Sequence, residues 1–309
     1  MPNLNTSILS ACPFVLPPLA DQLAIASILG ALEDKIDLNR RMNKTLETMA
    51  RAMFKDWFVD FGPTRAKTEG STPYLAPEIW SLFPDLLDNE GKPQGWRLTV
   101  LEEVLSELET GGRPKGGVSG YTFGVPSVGA ESIVGLGVFD YSKTKYIPQE
   151  YFEGMNKGHI KSRDVLLYKD GGRPGAFEPH LTLFGDGFPF DVCVINEHVY
   201  RLRANPDFGQ ALLYFWLSSD LAMEEMRIKG TGVAIPGLNS TQVKSLATLV
   251  PTPNIAKAFD AVADPTITRI LANCNEAQSL VRIRDLLLPK LMSGEIRVED
   301  AQNIAEAAK

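Results

Sequence analysis

Leu19 to Phe58 reads LADQLAIASILGALEDKIDLNRRMNKTLETMARAMFKDWF. Ile25, Leu29, Leu32, Ile36, Asn39, Asn43, Leu46, Ala50, Met53 and Trp57 follow one another within it at alternating steps of four and three residues. That spacing brings side chains to one stripe of a helix and makes a coiled-coil seam. A helix of about 40 residues would be about 60 Å long at 1.5 Å per residue, the length of a spacer and not of a helix inside a compact domain.

The same plan returns at an offset of 234 residues. Asn3-Leu4-Asn5-Thr6 aligns with Gly237-Leu238-Asn239-Ser240, and Val15-Leu16-Pro17 with Leu249-Val250-Pro251. Without a gap, Ile25 falls on Phe259, Ile28 on Val262, Ile36 on Ile270, Asn39 on Asn273, Leu46 on Leu280, Met49 on Ile283, Met53 on Leu287 and Trp57 on Leu291. One offset kept over about 50 residues marks two copies of one element, too few for a solenoid. Each copy reads as a strand-like segment, a proline and a helix. The second seam is Phe259, Ala263, Thr266, Ile270, Asn273, Ala277, Leu280, Arg284, Leu287 and Leu291. Asp264-Pro265 reads as an N-cap followed by an N1 proline, so the main helix is expected to start there, and Pro289 to end it near Leu288. Asn39 and Asn273 share a seam position; they are either solvated polar breaks or buried residues that fix register.

Between the copies the pattern changes. Gly62-Pro63 ends the first helix, and a connector with Pro73, Pro77, Pro84 and Pro93 follows, in which Ile79, Trp80, Leu82 and Phe83 can dock locally. From Gly95-Trp96 the chain breaks into short runs such as Val165–Tyr168, Val192–Ile195 and Val199–Leu202, separated by glycine-rich and Asn-Glu turns, the mark of an antiparallel sheet. Phe208 to Met226 reads as a single helix. The expected fold is α+β: one mixed, largely antiparallel β-rich domain plus two long helices forming an antiparallel coiled coil. The segments are 1–16 (a terminal strand), 17–60 (first helix), 61–94 (connector), 95–252 (the β-rich domain), 253–294 (second helix) and 295–309 (tail).

No run of about 18 uncharged apolar residues offers a membrane span, and the start carries no basic region ahead of an apolar core, which points to the cytoplasm. Cys12, Cys193 and Cys274 lie too far apart for a zinc knuckle, and His159, His180 and His198 lack metal-ligand spacing, so no metal site is expected. Net charge is −7, unevenly spread: nine basic against six acidic side chains between Gly111 and Gly175 give +3, leaving −10 elsewhere. Basic residues on glycine-rich turns with tyrosines between them suit nucleic acid, since glycine admits close approach and arginine or lysine reaches phosphate or base edges. The candidates are Arg113 and Lys115; Tyr141, Lys143, Lys145 and Tyr146; Lys161 and Arg163; Arg173; and Arg227, Lys229 and Thr231. Catalytic motifs are not found. Asn205-Pro206-Asp207-Phe208 lacks the second proline of an adenine methyltransferase tetrapeptide, Pro84-Asp85 with Glu90-Gly91-Lys92 is too tightly spaced for a metal-dependent nuclease, and Gly171–Gly175 and Thr110–Pro114 lack the ending of a P-loop.

Leu16-Pro-Pro-Leu-Ala-Asp-Gln22, Ile25-Ala-Ser-Ile-Leu-Gly30, Leu32-Glu-Asp-Lys-Ile36, Leu38-Asn-Arg-Arg-Met-Asn43, Leu46-Glu-Thr-Met-Ala50 and Phe54-Lys-Asp-Trp-Phe58 together resemble the conserved helical region of the specificity subunits of Type I restriction-modification enzymes. Pro93-Gln-Gly-Trp96 resembles the entry to a target recognition domain, and Val125–Ala130 and Gly230–Pro236 resemble segments inside one. The likeness runs from Leu4 to Ile296. It implies a non-catalytic subunit that reads a half-site in double-stranded DNA and scaffolds modification subunits through its helices. The seam residues Ile25, Leu29, Leu32, Ile36, Asn39, Leu46, Met53, Trp57, Ile270, Asn273, Leu280 and Leu287 would form the subunit interface. No cofactor is expected in this chain; S-adenosylmethionine, ATP and Mg belong to partner subunits, with the restriction subunit joined indirectly. The family alternates two recognition domains with two such helices, whereas this chain has helix, domain, helix. The resemblance makes residues 1–16 the last strand of a preceding recognition domain. It leaves open a half-length subunit, a shortened gene or a fragment, and a homodimer that restores two domains. A coiled-coil adaptor without DNA binding is the competing reading, favoured by the acidic total; a stand-alone methyltransferase or nuclease is a third.

Overall fold

The computed structural model describes residues 5–11, 16–173, 175–231 and 236–307. It forms two compact units, Met1–Met42 with Asn275–Lys309, and Asn43–Cys274. The chain begins with α1 (Thr6–Ser10) and α2 (Leu19–Phe58), followed by α3 (Gly62–Thr68), α4 (Pro77–Trp80), β1 (Arg97–Val100), β2 (Leu105–Thr110), β3 (Val125–Val128) and β4 (Lys145–Ile147). Next come α5 (Gln149–Glu153), β5 (Val165–Tyr168), β6 (Gly172–Arg173), β7 (Ala176–Phe177), β8 (His180–Leu183), β9 (Val194–Ile195) and β10 (Val199–Ala204). The described chain closes with α6 (Gln210–Leu217), α7 (Asp220–Gly230), α8 (Ser240–Lys244), β11 (Ala247–Val250), α9 (Pro253–Ser293) and α10 (Val298–Ala307).

In the first unit the seam spacing becomes a packed core. Ile25, Ile28, Leu32 and Ile36 of α2 are buried against Leu280, Leu287 and Leu291 of α9 and Ala301 of α10, with Leu29 partly buried beside them. The helices run antiparallel here: Arg284 pairs with Glu33, Lys35 with Glu276 at 3.2 Å, and the Asn39 amide donates to Glu276 Oε2 at 2.9 Å. The segment 295–309, expected as a tail, is corrected by α10, whose Ala301 fills the bundle end.

The second unit holds the β-rich domain and the other halves of the long helices. The four-stranded sheet β2-β10-β5-β8 is antiparallel throughout, and β4-β3-β9 combines an antiparallel β3/β4 pair with a parallel β3/β9 pair. β1 pairs with β11 from Arg97↔Val250 to Val100↔Ala247, so the two ends of the segment meet. α6 is buried on nearly every side chain because it lies against the four-stranded sheet and the helices. On the helix side, Ala50, Phe54, Trp57 and Phe58 of α2 and Ile255, Phe259, Ala263, Ile267 and Ile270 of α9 join the same core, with Leu46 and Met53 partly buried. Phe83 packs edge-on against Trp57 at 5.1 Å, while Ile79 and Leu82 dock beside it, as the connector's apolar residues suggest.

Four expectations need correcting. α9 does not begin at Pro265 or end at Pro289. It starts at Pro253, after a turn in which the Thr252 carbonyl accepts from Ile255 and Ala256, and continues to Ser293. Each internal proline removes a single backbone bond, and the buried stripe on both sides carries the helix through. Phe208–Met226 is two helices: Ser219 accepts from Ala222 N–H and caps α7, and a serine N-cap restarts a helix more readily than it continues one. The segment 1–16 contains a helix where a strand is expected. Asn5 Oδ1 accepts from Ile8 N–H at 2.9 Å, as Asn239 does from Gln242 N–H in a full capping box, and α1 and α8 occupy matching positions at the 234-residue offset. The remaining parts of that expected strand, 1–4 and 12–15, lie outside the described residues. The Val192–Ile195 run pairs only over Val194–Ile195, and in parallel with β3.

Asn39 is fully buried and its Oδ1 has no hydrogen-bond partner among the described residues. An unpaired buried carbonyl costs about 1–3 kcal/mol, so Asn39→Leu, close in shape, is expected to raise the urea unfolding free energy by about 1–2 kcal/mol; a loss would show that the amide contributes more than its missing partner costs. Asp260 of α9 caps α6, accepting from Leu212 N–H at 3.0 Å. Burial pushes its carboxyl up to about 6 against the lowering effect of the Leu212, Gln210 and Ala211 N–H groups. Because the folded state binds this proton more tightly than the unfolded chain, its contribution is full below about pH 4 and lost as pH rises through about 6, up to about 3 kcal/mol. Asp260→Asn should flatten that part of the stability–pH curve, measured by denaturation between about pH 4 and about pH 7.

Candidate nucleic-acid interface

The Gly-rich segment after β2 is rooted at both ends on the small sheet. Gly111 lies so close to β9 that a Cβ would stand 1.7 Å from the Ile195 carbonyl oxygen, and Gly124, at φ 136°, enters β3 where a Cβ would stand 2.2 Å from the Ile147 oxygen. Only glycine fits either place. Between them Val118 packs against Val125, Ile147 and Val194, and Gly117 N–H bonds the Pro114 carbonyl at 3.0 Å. The loop is therefore held, with Arg113 and Lys115 exposed on it. Lys145, opposite Ser127 on β4, is on the same sheet. A cleft of about 370 Å³ beside the loop is lined by Gly111, Gly112, Glu150, Tyr151, Asn156 and Lys157.

The loop carrying Lys157 and Lys161 is fixed by buried charge. Asp164 is fully buried and Arg201 is 3% exposed. Arg201 pairs with Asp164 at 3.2 Å, with Glu109 at 2.7 Å and with Glu107, while Arg203 pairs with Asp164 and with Glu107 at 3.2 Å. The same carboxylates hold the loop backbone: Glu109 accepts from Gly158 N–H at 3.0 Å and Asp164 from Lys161 N–H at 2.8 Å. Burial opposes the charge on Glu109, yet Gly158, Arg201 and Arg203 outweigh it and keep its pKa below the usual glutamate range. Desolvation would lower the Arg201 pKa, but Asp164 and Glu109 overcome it and raise the value instead.

The residues expected as DNA contacts fall into three groups. Lys115, Lys161 and Arg173 are exposed and have no ion pair among the described residues, as is also true of Lys157. Arg113, Lys143 and Lys145 are exposed but paired with Glu197 at 2.8 Å, Asp140 at 3.2 Å and Glu131 at 2.6 Å; Arg227 pairs likewise with Glu224 at 3.3 Å. The others are engaged within the fold. Arg163, at φ 69°, reaches Asp186, Asp264 and Thr268. Tyr141 donates to the Pro189 carbonyl at 3.1 Å and packs on Phe139 and Phe190; Lys229 bonds Ser245 and pairs with Glu225; and Thr231 bonds the Ile228 carbonyl. These four are held by the fold, whereas Lys157, which the sequence reading passed over, stands exposed beside the loop. Tyr146 is half-buried on β4. The segment Gly230–Pro236 falls in part, 232–235, outside the described residues. The seam residues divide between units: Asn43 donates to the Ile270 carbonyl at 3.2 Å and accepts from Asn273 at 2.8 Å, so the Asn273 position is a buried polar pair and not a solvated break.

No family model matches the sequence. The specificity subunit of the Type I restriction enzyme MjaIX from Methanocaldococcus jannaschii is 25% identical over 304 residues, covering 97% of this chain and 64% of that protein. Along nearly its whole length the chain is similar to specificity subunits of Type I restriction enzymes. The HindI specificity subunit from Haemophilus influenzae is 24% identical, with 96% of this chain and 71% of that one covered. The fold matches the solved S subunit of a Type I system from M. genitalium at a TM-score of 0.51 and 15% identity, over 88% of this chain and 61% of that one. The chain spans about two thirds of the length of the curated relatives it matches. Among its described residues no helix is long and apolar enough to cross a membrane, and no group of His, Cys, Asp and Glu is placed to hold a metal.

Removing one member of a buried ion pair leaves uncompensated charge, at a cost of about 3–5 kcal/mol. Asp164→Asn, which leaves Arg201 and Arg203 short of a carboxylate, is expected to lower the unfolding free energy by that amount in guanidinium titration; a change below about 1 kcal/mol would show that the arginines find other partners.

Proposed function

We propose that the β-rich domain is the part of this specificity subunit that contacts duplex DNA, and that the long helices are where modification subunits dock. The observation that carries the reading is a run of cations, Arg113, Lys115, Lys145 and Lys157, around one small sheet in a chain of net charge −7. Glycines at the loop roots seat the loop on the sheet, and cations at the rim meet phosphates, which position a protein on DNA. The surface pair of Lys145 with Glu131 is worth about 0–1 kcal/mol, so a phosphate can replace that carboxylate at little cost, whereas Arg113 meets a Glu197 carboxylate whose oxygens are buried. The chain itself supplies no methyl transfer or cleavage in this reading; S-adenosylmethionine, ATP and Mg act on partner subunits, and two copies associate where two half-sites are read.

Titration of a fluorescent random-sequence duplex with the full chain is expected to show binding near about 50 mM salt and a steep loss by about 200 mM. Lys115→Ala and Lys157→Ala should each weaken binding to all sequences and reduce the log–log salt slope by about 0.9. No binding at low salt would overturn the reading and leave the protein-only adaptor.

A further inference from the structure

We infer that Phe123 is a stacking residue whose ring enters the base stack of bound duplex DNA. The inference rests on the DNA reading above. Phe123 is 84% exposed, more than any other large apolar side chain among the described residues, and Tyr121, two positions earlier, is 40% exposed. A lone exposed apolar side chain is ordinary on a protein surface. This one differs in its support and its neighbours.

The support is a loop rooted on β9 and β3, anchored midway by Val118 in the small core of Val125, Ile147 and Val194, and tightened by the Tyr121 N–H bond to the Val118 carbonyl at 3.1 Å. The stretch that carries Phe123 is therefore held in place, and the ring loses little freedom when something covers it. Phe123 itself sits directly before Gly124, whose backbone conformation and contact with the Ile147 oxygen exclude a side chain. The loop cannot be shortened toward the sheet without losing that entry.

The neighbours favour nucleic acid over protein. Arg113 and Lys115 stand on the same loop, Lys145 on the adjoining strand and Lys157 at the adjoining cleft. An exposed aromatic ring on a loop that also carries cations matches polyanion chemistry in both parts: the cations hold phosphates while the ring covers base faces or wedges a base step. Stacking is tolerant of sequence, so this contact would contribute affinity and local deformation of the duplex and leave base-edge reading to other side chains.

The test uses the full chain and duplexes enriched from a random pool by repeated binding to the wild-type protein. Phe123→Trp places an exposed indole at this position, and its emission is compared with the wild type, whose Trp57, Trp96 and Trp216 are buried and whose Trp80 is half-buried. Stacking predicts quenching of the added emission on duplex binding. Phe123→Ala should lose about 10-fold in affinity with the salt slope unchanged, and Phe123→Leu should recover part of it. Equal affinity in Phe123→Ala, together with no change in the added emission of Phe123→Trp when duplex binds, would overturn the inference while the DNA reading stands. Quenching that needs a modification subunit and no DNA would overturn it in favour of a protein contact. If wild type binds no duplex, the DNA reading fails first and this inference with it.

Discussion

The second unit depends on Phe259. Its ring meets Phe54 at 6.1 Å, Trp57 at 6.0 Å, Phe58 at 5.2 Å and Phe215 at 5.8 Å, edge to face in each case. Those partners come from α2 and from α6, which in turn lies on the four-stranded sheet. A single buried ring on α9 thus fastens both long helices to the domain between them. Edge-to-face aromatic pairs contribute about 0.5–1.5 kcal/mol each beyond area burial, and the cluster carries directional preference that aliphatic packing lacks. Trp96, packed at 5.6 Å on Phe58, extends the joint to the entry of β1, and the β1/β11 pair closes the loop of chain back to α9.

Much of this is legible in residue spacing. The stripe at steps of four and three marks the ends of α2 as well as its buried face, because a seam can only be sustained while the helix persists. The 234-residue offset also reaches further than helices of the seam: Asn5 and Asn239 each cap a five-residue helix at matching positions. Spacing fails where local and tertiary preferences conflict. Pro265 and Pro289 carry strong local signals to start and stop a helix, yet α9 passes through both, since Ala263, Ile267, Ile270, Leu287 and Leu291 remain buried across them. A locally polar pair, Ser218-Ser219, interrupts what reads as one apolar helix for the opposite reason: a hydroxyl cap is available and neighbouring chain can turn away.

The candidate site is less legible, and the reason is electrostatic. A basic residue on a turn is visible in sequence, but the carboxylate that engages it is not. Arg163 reads as a loop cation; its partners Asp264 and Thr268 lie 101 and 105 positions later. A non-glycine residue in the left-handed region costs about 1–2 kcal/mol, and three polar partners for one guanidinium offset that cost. Asp164 and Arg201 carry no sequence signal at all, since a strand that reads Val-Tyr-Arg-Leu-Arg-Ala suggests alternation with solvent-facing arginines. In the fold both of those arginines turn to the same buried carboxylate.

That burial bears on how an acidic chain would carry the cationic surface proposed above. Acidic side chains near the loops act in two ways, set by exposure. Buried Asp164 and half-buried Glu107 and Glu109 are committed to Arg201, Arg203 and loop N–H groups, and their charge is cancelled locally. Glu131 instead meets Lys145 at the surface, where water and salt screen the attraction. A polyanion with several phosphates in register competes well against such single exposed pairs and poorly against the buried ones. The same charges that make the chain net acidic therefore stiffen the loops from below, and the cations above them stay exchangeable.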